Sequence, residues 1–407
     1  LQTGDFLLFA SLSMLESSKG TKKLTARRVK ILQLLPECHD RSHDPTDLGE
    51  QIVAAFPRSK YEVTSAFLAG KPSVEHPPSQ AEKTHYFNFP ESAQKGLRIR
   101  LKYELFKFCK KNAFDVVICH RFKPVSYILE LNRIVGFKRC IGISHGFGEY
   151  RRCSRRLLAR LMINDAWRFV GVSDSVRDYL VGLNCGFTPA NTRAIPNAID
   201  IDGLTAAQHS RAEARRLLGL SPDALLIGAI GRLVPVKGHI YLIRGFAQIA
   251  DQFPGVQMAI IGEGREKETL LNEVQRFGLD GRVHLLGWKN RAMQYARAFD
   301  VWAMPSLMEG FGLALLEGMS AAIPVLASDI PAMRPMILGA GGLAVPPKDS
   351  AALANGLATL LSLSDDERKT KGRAAYEYLS SHHRVEDYKK AYLALVEDSL
   401  GTGGAVA

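Results

Sequence analysis

No run of 18 or more apolar residues occurs in the 407-residue chain, so no membrane-spanning helix is expected. Cysteines in C-x-x-C spacing are also absent. The six thiols, Cys38, Cys109, Cys119, Cys140, Cys153 and Cys185, are scattered through the first half. This removes zinc-ribbon and dithiol redox motifs and leaves buried, reduced thiols of a cytosolic protein as the expectation. Repeats and low-complexity arrays are missing too. The apolar segment Phe6–Leu15 follows Asp5 and carries neither a basic leader nor a cleavage pattern, which argues against a signal peptide. Residues 1–28 read as a weakly determined extension, with Met14 a candidate start.

Acidic residues are scarce in one half only. Residues 1–200 hold 31 Lys and Arg against 19 Asp and Glu, whereas residues 201–407 hold 22 of each. The whole net charge of +12 therefore belongs to the first half, and between 95 and 160 the count is 17 basic against 4 acidic. A field of that size implies an anionic partner.

A chain this long exceeds one ordinary core, and 46% hydrophobic with 23% charged residues is globular. Short apolar strands alternate with helical stretches in two series. Val29–Leu35, Tyr61–Leu68, Asp115–Cys119, Arg139–Ile143 and Arg168–Val172 form the first. Leu225–Ile230, Val256–Ile261, Val283–Leu286, Asp300–Met304 and Pro324–Ala327 form the second. Repeated β-α units predict parallel sheets covered on both faces. The expected organisation is one domain over 29–200, a second over 201–385, and a C-terminal helix and tail over 386–407 that crosses back to the first. Residues 71–90, with four prolines, read as a loop. Ligands of such sheets sit beyond the C-terminal ends of the strands, here in the cleft between the domains.

Several motifs fall at those ends. Gly231-Arg232 and Lys237-Gly238 follow the strand ending at Ile230 and offer two cations to a diphosphate, although a solvated loop explains them equally well. Gly262 and Gly264 follow the next strand, and Gly287-Trp288 the one after, where Trp288 reads either as a nucleobase neighbour or as a packing residue. Glu309 and Glu317 bracket the helix opening Gly310-Phe311-Gly312. Eight residues make about two and a quarter helical turns, which would bring both carboxylates to one side. The intervening amides would be open to phosphate at the helix N-terminus.

In this order, the motifs resemble the nucleotide-sugar domain of retaining glycosyltransferases of the GT-B fold, family 4. The family's Glu, seven residues, Glu signature is met by Glu309 and Glu317. Its G-R-x-x-x-x-K-G motif is met by Gly231, Arg232, Lys237 and Gly238. The resemblance covers most of residues 29–400 and is strongest from Gly231 to Pro335. It implies an α/β GT-B architecture, two doubly wound Rossmann-like domains facing across a deep cleft. It implies that Arg232 and Lys237 bind the donor diphosphate and Glu317 the ribose. Glu309 and the Gly310, Phe311 and Gly312 amides would bind the donor sugar, with Gly231, Gly262 and Trp288 beside them. His145 looks like the family's histidine near the donor sugar; His120 is a further acceptor-side candidate. Ser173 and Asn197 fit positions bordering the cleft, or simply cap helix and turn. Where the family often shows a Gly-Gly pair, Asp47-Leu48-Gly49-Glu50 keeps only Gly49, which puts the acceptor-side geometry in doubt.

The resemblance further implies retention at the anomeric carbon, no cofactor and no metal. Two metal-like strings, Asp200-Ile201-Asp202 and Cys38 through Asp44, lack companion ligands or fixed geometry. The expected partners are a nucleotide-sugar donor, a glycan or lipid-linked acceptor such as a lipopolysaccharide core, and an anionic membrane surface. Basic, partly amphipathic segments within 95–160 would dock on that surface, placing the protein on the inner face of the cytoplasmic membrane. Nucleic acid is not expected. Two alternatives stand beside this reading: a transferase acting on a soluble metabolite, and a non-enzymatic polyanion-binding protein that uses Tyr103, Phe106 and Phe108 for stacking.

Overall fold

The computed structural model describes residues 27–38, 47–72, 78–94, 96 and 98–401. The readings on Phe6–Leu15, on Met14 and on His39 through Asp44 lie outside the described residues. Seven parallel strands form the first sheet: β1 Val29–Glu37, β2 Tyr61–Ala69, β3 Lys83–Tyr86, β4 Val116–His120, β5 Arg139–Ser144, β6 Trp167–Gly171 and β7 Thr192–Ala194. Their spatial order is β3-β2-β1-β4-β5-β6-β7. The second sheet holds β8 Leu226–Ile230, β9 Gln257–Ile261, β10 Val283–Leu285, β11 Val301–Met304, β12 Val325–Ser328 and β13 Leu343–Val345, in the order β10-β9-β8-β11-β12-β13. Both are doubly wound, with the strand order reversing between β1 and β4 and between β8 and β11. Those reversals open the crevices in which such folds bind ligands.

Each of the ten expected strands is present within a residue or two. The central ones are wholly buried, such as Val116 to Cys119 and Leu226 to Ala229, and read as continuous apolar runs because helices cover both faces. The structure adds the edge strands β3, β7 and β13, each of three or four residues. Edge strands are buried less completely, so Lys83-Thr84-His85-Tyr86 carries no apolar run, and the expected loop over 71–90 contains β3.

A second correction concerns Glu309. The helix begins at Leu313, with Gly312 as its N-cap at φ 104°, so Glu309 precedes it in an irregular loop and only Glu317 is helical. Glycine loses more freedom in a helix than any other residue, and Gly312 takes a conformation closed to most side chains.

The last helix, Val385–Leu400, packs on the first domain. Tyr388, Tyr392, Leu395 and Val396 join Ile52 and Val53 in one core. Glu397 accepts from Lys60 Nζ at 2.6 Å and from the Tyr61 hydroxyl at 3.0 Å. Entry to this helix runs beside the interdomain link: Ile199 bridges Arg384, and the Ile199 amide donates to the His383 carbonyl at 3.3 Å. The fold therefore crosses between domains twice at one place. Tyr392 is fully buried, and Tyr392→Ala should lower unfolding free energy by about 3 kcal/mol or more, as for other aromatic-to-alanine truncations in cores. Urea unfolding checks this; a loss below ~1 kcal/mol would mean the helix is not integral to the first domain.

Candidate functional site

The second domain supplies a cradle built where backbones approach too closely for side chains. Gly238 has φ 69°, and a Cβ there would lie 2.0 Å from the Pro305 carbonyl oxygen. This contact seats the Gly231–Gly238 loop on the segment after β11. The Leu307 amide donates to the Val236 carbonyl at 2.8 Å, and Lys237 Nζ reaches Glu309 Oε1 at 2.7 Å. Both charged groups are largely shielded, at 19% and 15% side-chain exposure. Arg232 remains exposed nearby. Gly231 and Gly262 meet on the neighbouring strand ends: a Cβ on Gly262 would be 1.9 Å from the Gly231 oxygen. Gly262 N–H in turn donates to the Gly287 carbonyl at 2.9 Å. The amides of Gly310, Phe311 and Gly312 donate to no acceptor among the described residues, and they precede the helix that carries buried Glu317. Two cations and three open amides at a strand-to-helix passage are the donors that could hold an anion.

The first domain closes over this loop. His145, just past β5, presses its carbonyl on Gly310, where a Cβ would stand 2.1 Å from that oxygen. The Ser173 hydroxyl donates to the Gly310 carbonyl at 2.7 Å and also accepts from Val176 N–H, so it caps its helix and ties the domains together. The rings of His145 and His120 stack with centroids 5.5 Å apart. Burial pushes His120 down to about 3 and His145 well below its ordinary value, helped by the nearby Arg121 charge and, for His145, by His120 itself. Both rings are neutral at physiological pH. His239, at the base of the Gly231–Gly238 loop, is lowered to about 4 by burial and then by Lys237.

Other expected positions fall differently. Trp288 is 68% exposed. The Gly49 amide is already held by Asp47, the N-cap of helix Leu48–Ala54, at 2.9 Å. Asn197 is buried beside the interdomain link, its carbonyl facing His383 Nδ1 at 3.3 Å. Asp200 caps helix Ile201–Ala207 through Gly203 N–H. Among the described residues no cluster of three metal-ligating side chains occurs.

Two residues at the cleft escaped the sequence analysis. Glu149 turns back within its loop to accept the His145 amide at 2.9 Å, and burial raises its carboxyl to about 7. Arg121 follows β4 directly. Its position after a central strand was legible, but its backbone conformation and its proximity to Glu149 were not.

Two family models match adjoining stretches that together take in most of the chain: Glycosyltransferase Family 4 over residues 50–202 and Glycosyl transferases group 1 over residues 210–378. Among curated relatives, the UDP-Gal:alpha-D-GlcNAc-diphosphoundecaprenol alpha-1,3-galactosyltransferase of Escherichia coli is 26% identical over 235 residues, covering 56% of this chain and 60% of that protein. The D-inositol 3-phosphate glycosyltransferase of Actinosynnema mirum is 32% identical over 200 residues, covering 46% and 45%. The matches thus span about half the length of these relatives. The crystal structure of Anabaena HepE in complex with UDP and glucose superposes with a TM-score of 0.75 at 20% identity, covering 91% of this chain and 100% of that one. The two matching models, the paired doubly wound sheets and the order of the motifs along them lead to one assignment: the chain belongs to glycosyltransferase family 4 and has the GT-B fold.

Proposed function

We propose that this chain transfers a glycosyl residue from a nucleoside-diphosphate sugar to a hydroxyl of a lipid-linked or cell-surface glycan, with retention and without a metal; a lipopolysaccharide core is the leading acceptor. The observation that carries the donor side is the Lys237–Glu309 pair beside the open Gly310–Gly312 amides. Departure of the diphosphate concentrates negative charge where Arg232, Lys237 and those amides stand, and preorganised donors stabilise that charge without reorganising. Glu309 would exchange Lys237 for hydroxyls of the donor sugar, and Glu317 would hold the ribose. Front-face attack by the acceptor, with the departing phosphate taking its proton, needs no second carboxylate. The UDP in the Anabaena structure supports a nucleoside diphosphate here. Glu317→Ala should raise the donor KM severalfold with a smaller change in kcat, since the ribose contact is made equally in ground and transition states. An unchanged donor KM in steady-state kinetics would remove Glu317 from the donor site.

The acceptor side rests on three adjacent helices of the first domain, Ile99–Asn112, Phe122–Val135 and Cys153–Met162. They expose Ile99, Tyr103, Ile134, Leu157 and Leu161 among arginines and lysines. A cavity of about 560 Å³ between the first of them and β3 has Phe87, Phe89 and Phe108 in its lining, with Arg100, Lys107 and Lys111. Apolar side chains among cations suit an anionic leaflet, where each Lys or Arg contributes on the order of 1 kcal/mol. The lipid-linked substrate named for the Escherichia coli relative supports the same reading, which places the protein peripherally on the inner membrane face. No helix among the described residues is long and apolar enough to cross a membrane. Co-sedimentation should show binding to vesicles containing phosphatidylglycerol, weakened about tenfold or more in Leu157→Ser/Leu161→Ser. Absence of vesicle binding by the parent protein would favour a soluble acceptor.

Glu149 gives the site a pH signature. Its carboxyl is raised from an ordinary 4.5 to about 7 by burial, so the folded state prefers the protonated acid. Stability is therefore lost as pH rises between about 4.5 and 7 and levels off above that. Glu149→Gln keeps an oxygen for the His145 amide and removes the titration. Its melting temperature relative to the parent should be higher at pH 8 than at pH 5; an equal offset at both pH values would count against a raised Glu149.

A further inference from the structure

Arg121 links β4 to helix Phe122–Val135 with φ 67° and ψ 170°. Arg98, Ala113 and Arg291 also have positive φ, but their ψ values of 30°, 60° and 51° put them in the ordinary left-handed region. Arg121 occupies a corner that essentially only glycine enters without strain. The chain is held there: the Arg121 amide donates to the Ile143 carbonyl at 2.9 Å, next to the end of β5. Glycine would fit this turn better, yet the chain carries a long cation.

No salt bridge to that cation occurs among the described residues, and Arg121 is exposed. The acid nearest in influence, Glu149, is directed to the His145 amide and is largely protonated below neutrality. Helix Cys153–Met162 carries no acidic residue, and its Arg155 donates to the Glu149 carbonyl at 2.6 Å. The other titratable groups within reach of its charge are His120 and His145, both neutral. His120 is only 5% exposed, and its Nε2, like that of His145, has no hydrogen-bond partner among the described residues. At the reversal point of the first sheet, then, a cation without an ion pair among the described residues acts on two histidines whose Nε2 atoms lack partners there. The donor diphosphate's cations, Arg232 and Lys237, are on the opposite domain.

We propose that Arg121 recognises an anionic group, a phosphate or a carboxylate, borne by the acceptor, with His120 and His145 serving neighbouring hydroxyls. A guanidinium matches either group with two parallel hydrogen bonds, which an ammonium does not reproduce. This deepens the glycosyl-transfer reading and rests on it for the word acceptor. The strained backbone sets Arg121 at the C-terminal end of β4, at the strand-order reversal where such sheets bind ligands.

The test uses Arg121→Gly, which removes the guanidinium and relieves the backbone at once. Thermal stability is measured with glucose 6-phosphate, glucuronate and neutral glucose, each with and without UDP, in the parent, Arg121→Gly, Arg121→Lys and Glu317→Ala. Stabilisation of the parent by glucose 6-phosphate or glucuronate beyond that by glucose is expected, and which of the two acts identifies the anion. Arg121→Gly should melt at or above the parent without ligand and bind the anionic sugar at least tenfold more weakly. Arg121→Lys should fall between, and Glu317→Ala should bind it as the parent does. Equal binding by Arg121→Gly and the parent would overturn the proposal, as would no anionic sugar binding the parent or a lower ligand-free melting temperature for Arg121→Gly. A donor-site failure reads separately, as indifference to UDP with Arg121-dependent anion binding intact.

Discussion

The site depends on backbone approaching backbone after β11. The loop from Pro305 to Gly312 is pinned on one side by Gly238, with no room for a Cβ against the Pro305 carbonyl, and on the other by Gly310 against the carbonyl of His145. Hydrogen bonds from Leu307 and to the Gly310 carbonyl complete the clamp. Because the contacts are main chain to main chain, they leave side chains free to point into the cleft. Lys237 and Glu309 meet as a result of where these glycines force the chain, and the open amides of Gly310 to Gly312 follow from the same irregular passage.

That clamp also joins the domains. His145 and Ser173 belong to the first domain, Gly310 to the second, and the two crossings between the domains are bridged at Ile199 and Arg384. A change in domain angle must therefore move His145 relative to the donor loop. Glu149 bears on this through the His145 amide, and Arg155 ties the Glu149 carbonyl to the basic helix Cys153–Met162. One short path of hydrogen bonds thus runs from Arg155, on the helix that exposes Leu157 and Leu161, through Glu149 to His145.

Elements whose burial is complete were legible in the sequence. Central strands such as β4 and β8 announce themselves because both faces are covered, so β8 is apolar throughout and β4 is apolar up to its closing His120. β3, β7 and β13 are short edges, and their partners, not their composition, make them strands. The motif glycines were legible as punctuation, but their purpose was not, since close approach is a relation to residues far along the chain: Gly238 to Pro305, Gly310 to His145. Placing Glu309 on the helix failed for the same reason, because helical periodicity ignores what two glycines are for. Arg121 and Glu149 were invisible because a backbone torsion and a burial-raised acid are tertiary properties.

The charges of the cleft follow one rule, that none is left bare in a low-dielectric place. The histidines are neutral, Glu149 is poised near neutrality, and Lys237 is paired with Glu309 where both are shielded. Breaking a shielded pair by removing one partner leaves the other uncompensated, which costs far more than the pair is worth. On the donor reading proposed above, entry would avoid that cost by exchange: the diphosphate would take Lys237 as the sugar hydroxyls take Glu309, so that each charge passes from one partner to the next. A donor lacking either half would strand one of the two charges. On the same reading the pair would select for a ligand that presents an anion and a polyol at the separation between Lys237 and Glu309, which is the chemistry of a nucleoside-diphosphate sugar.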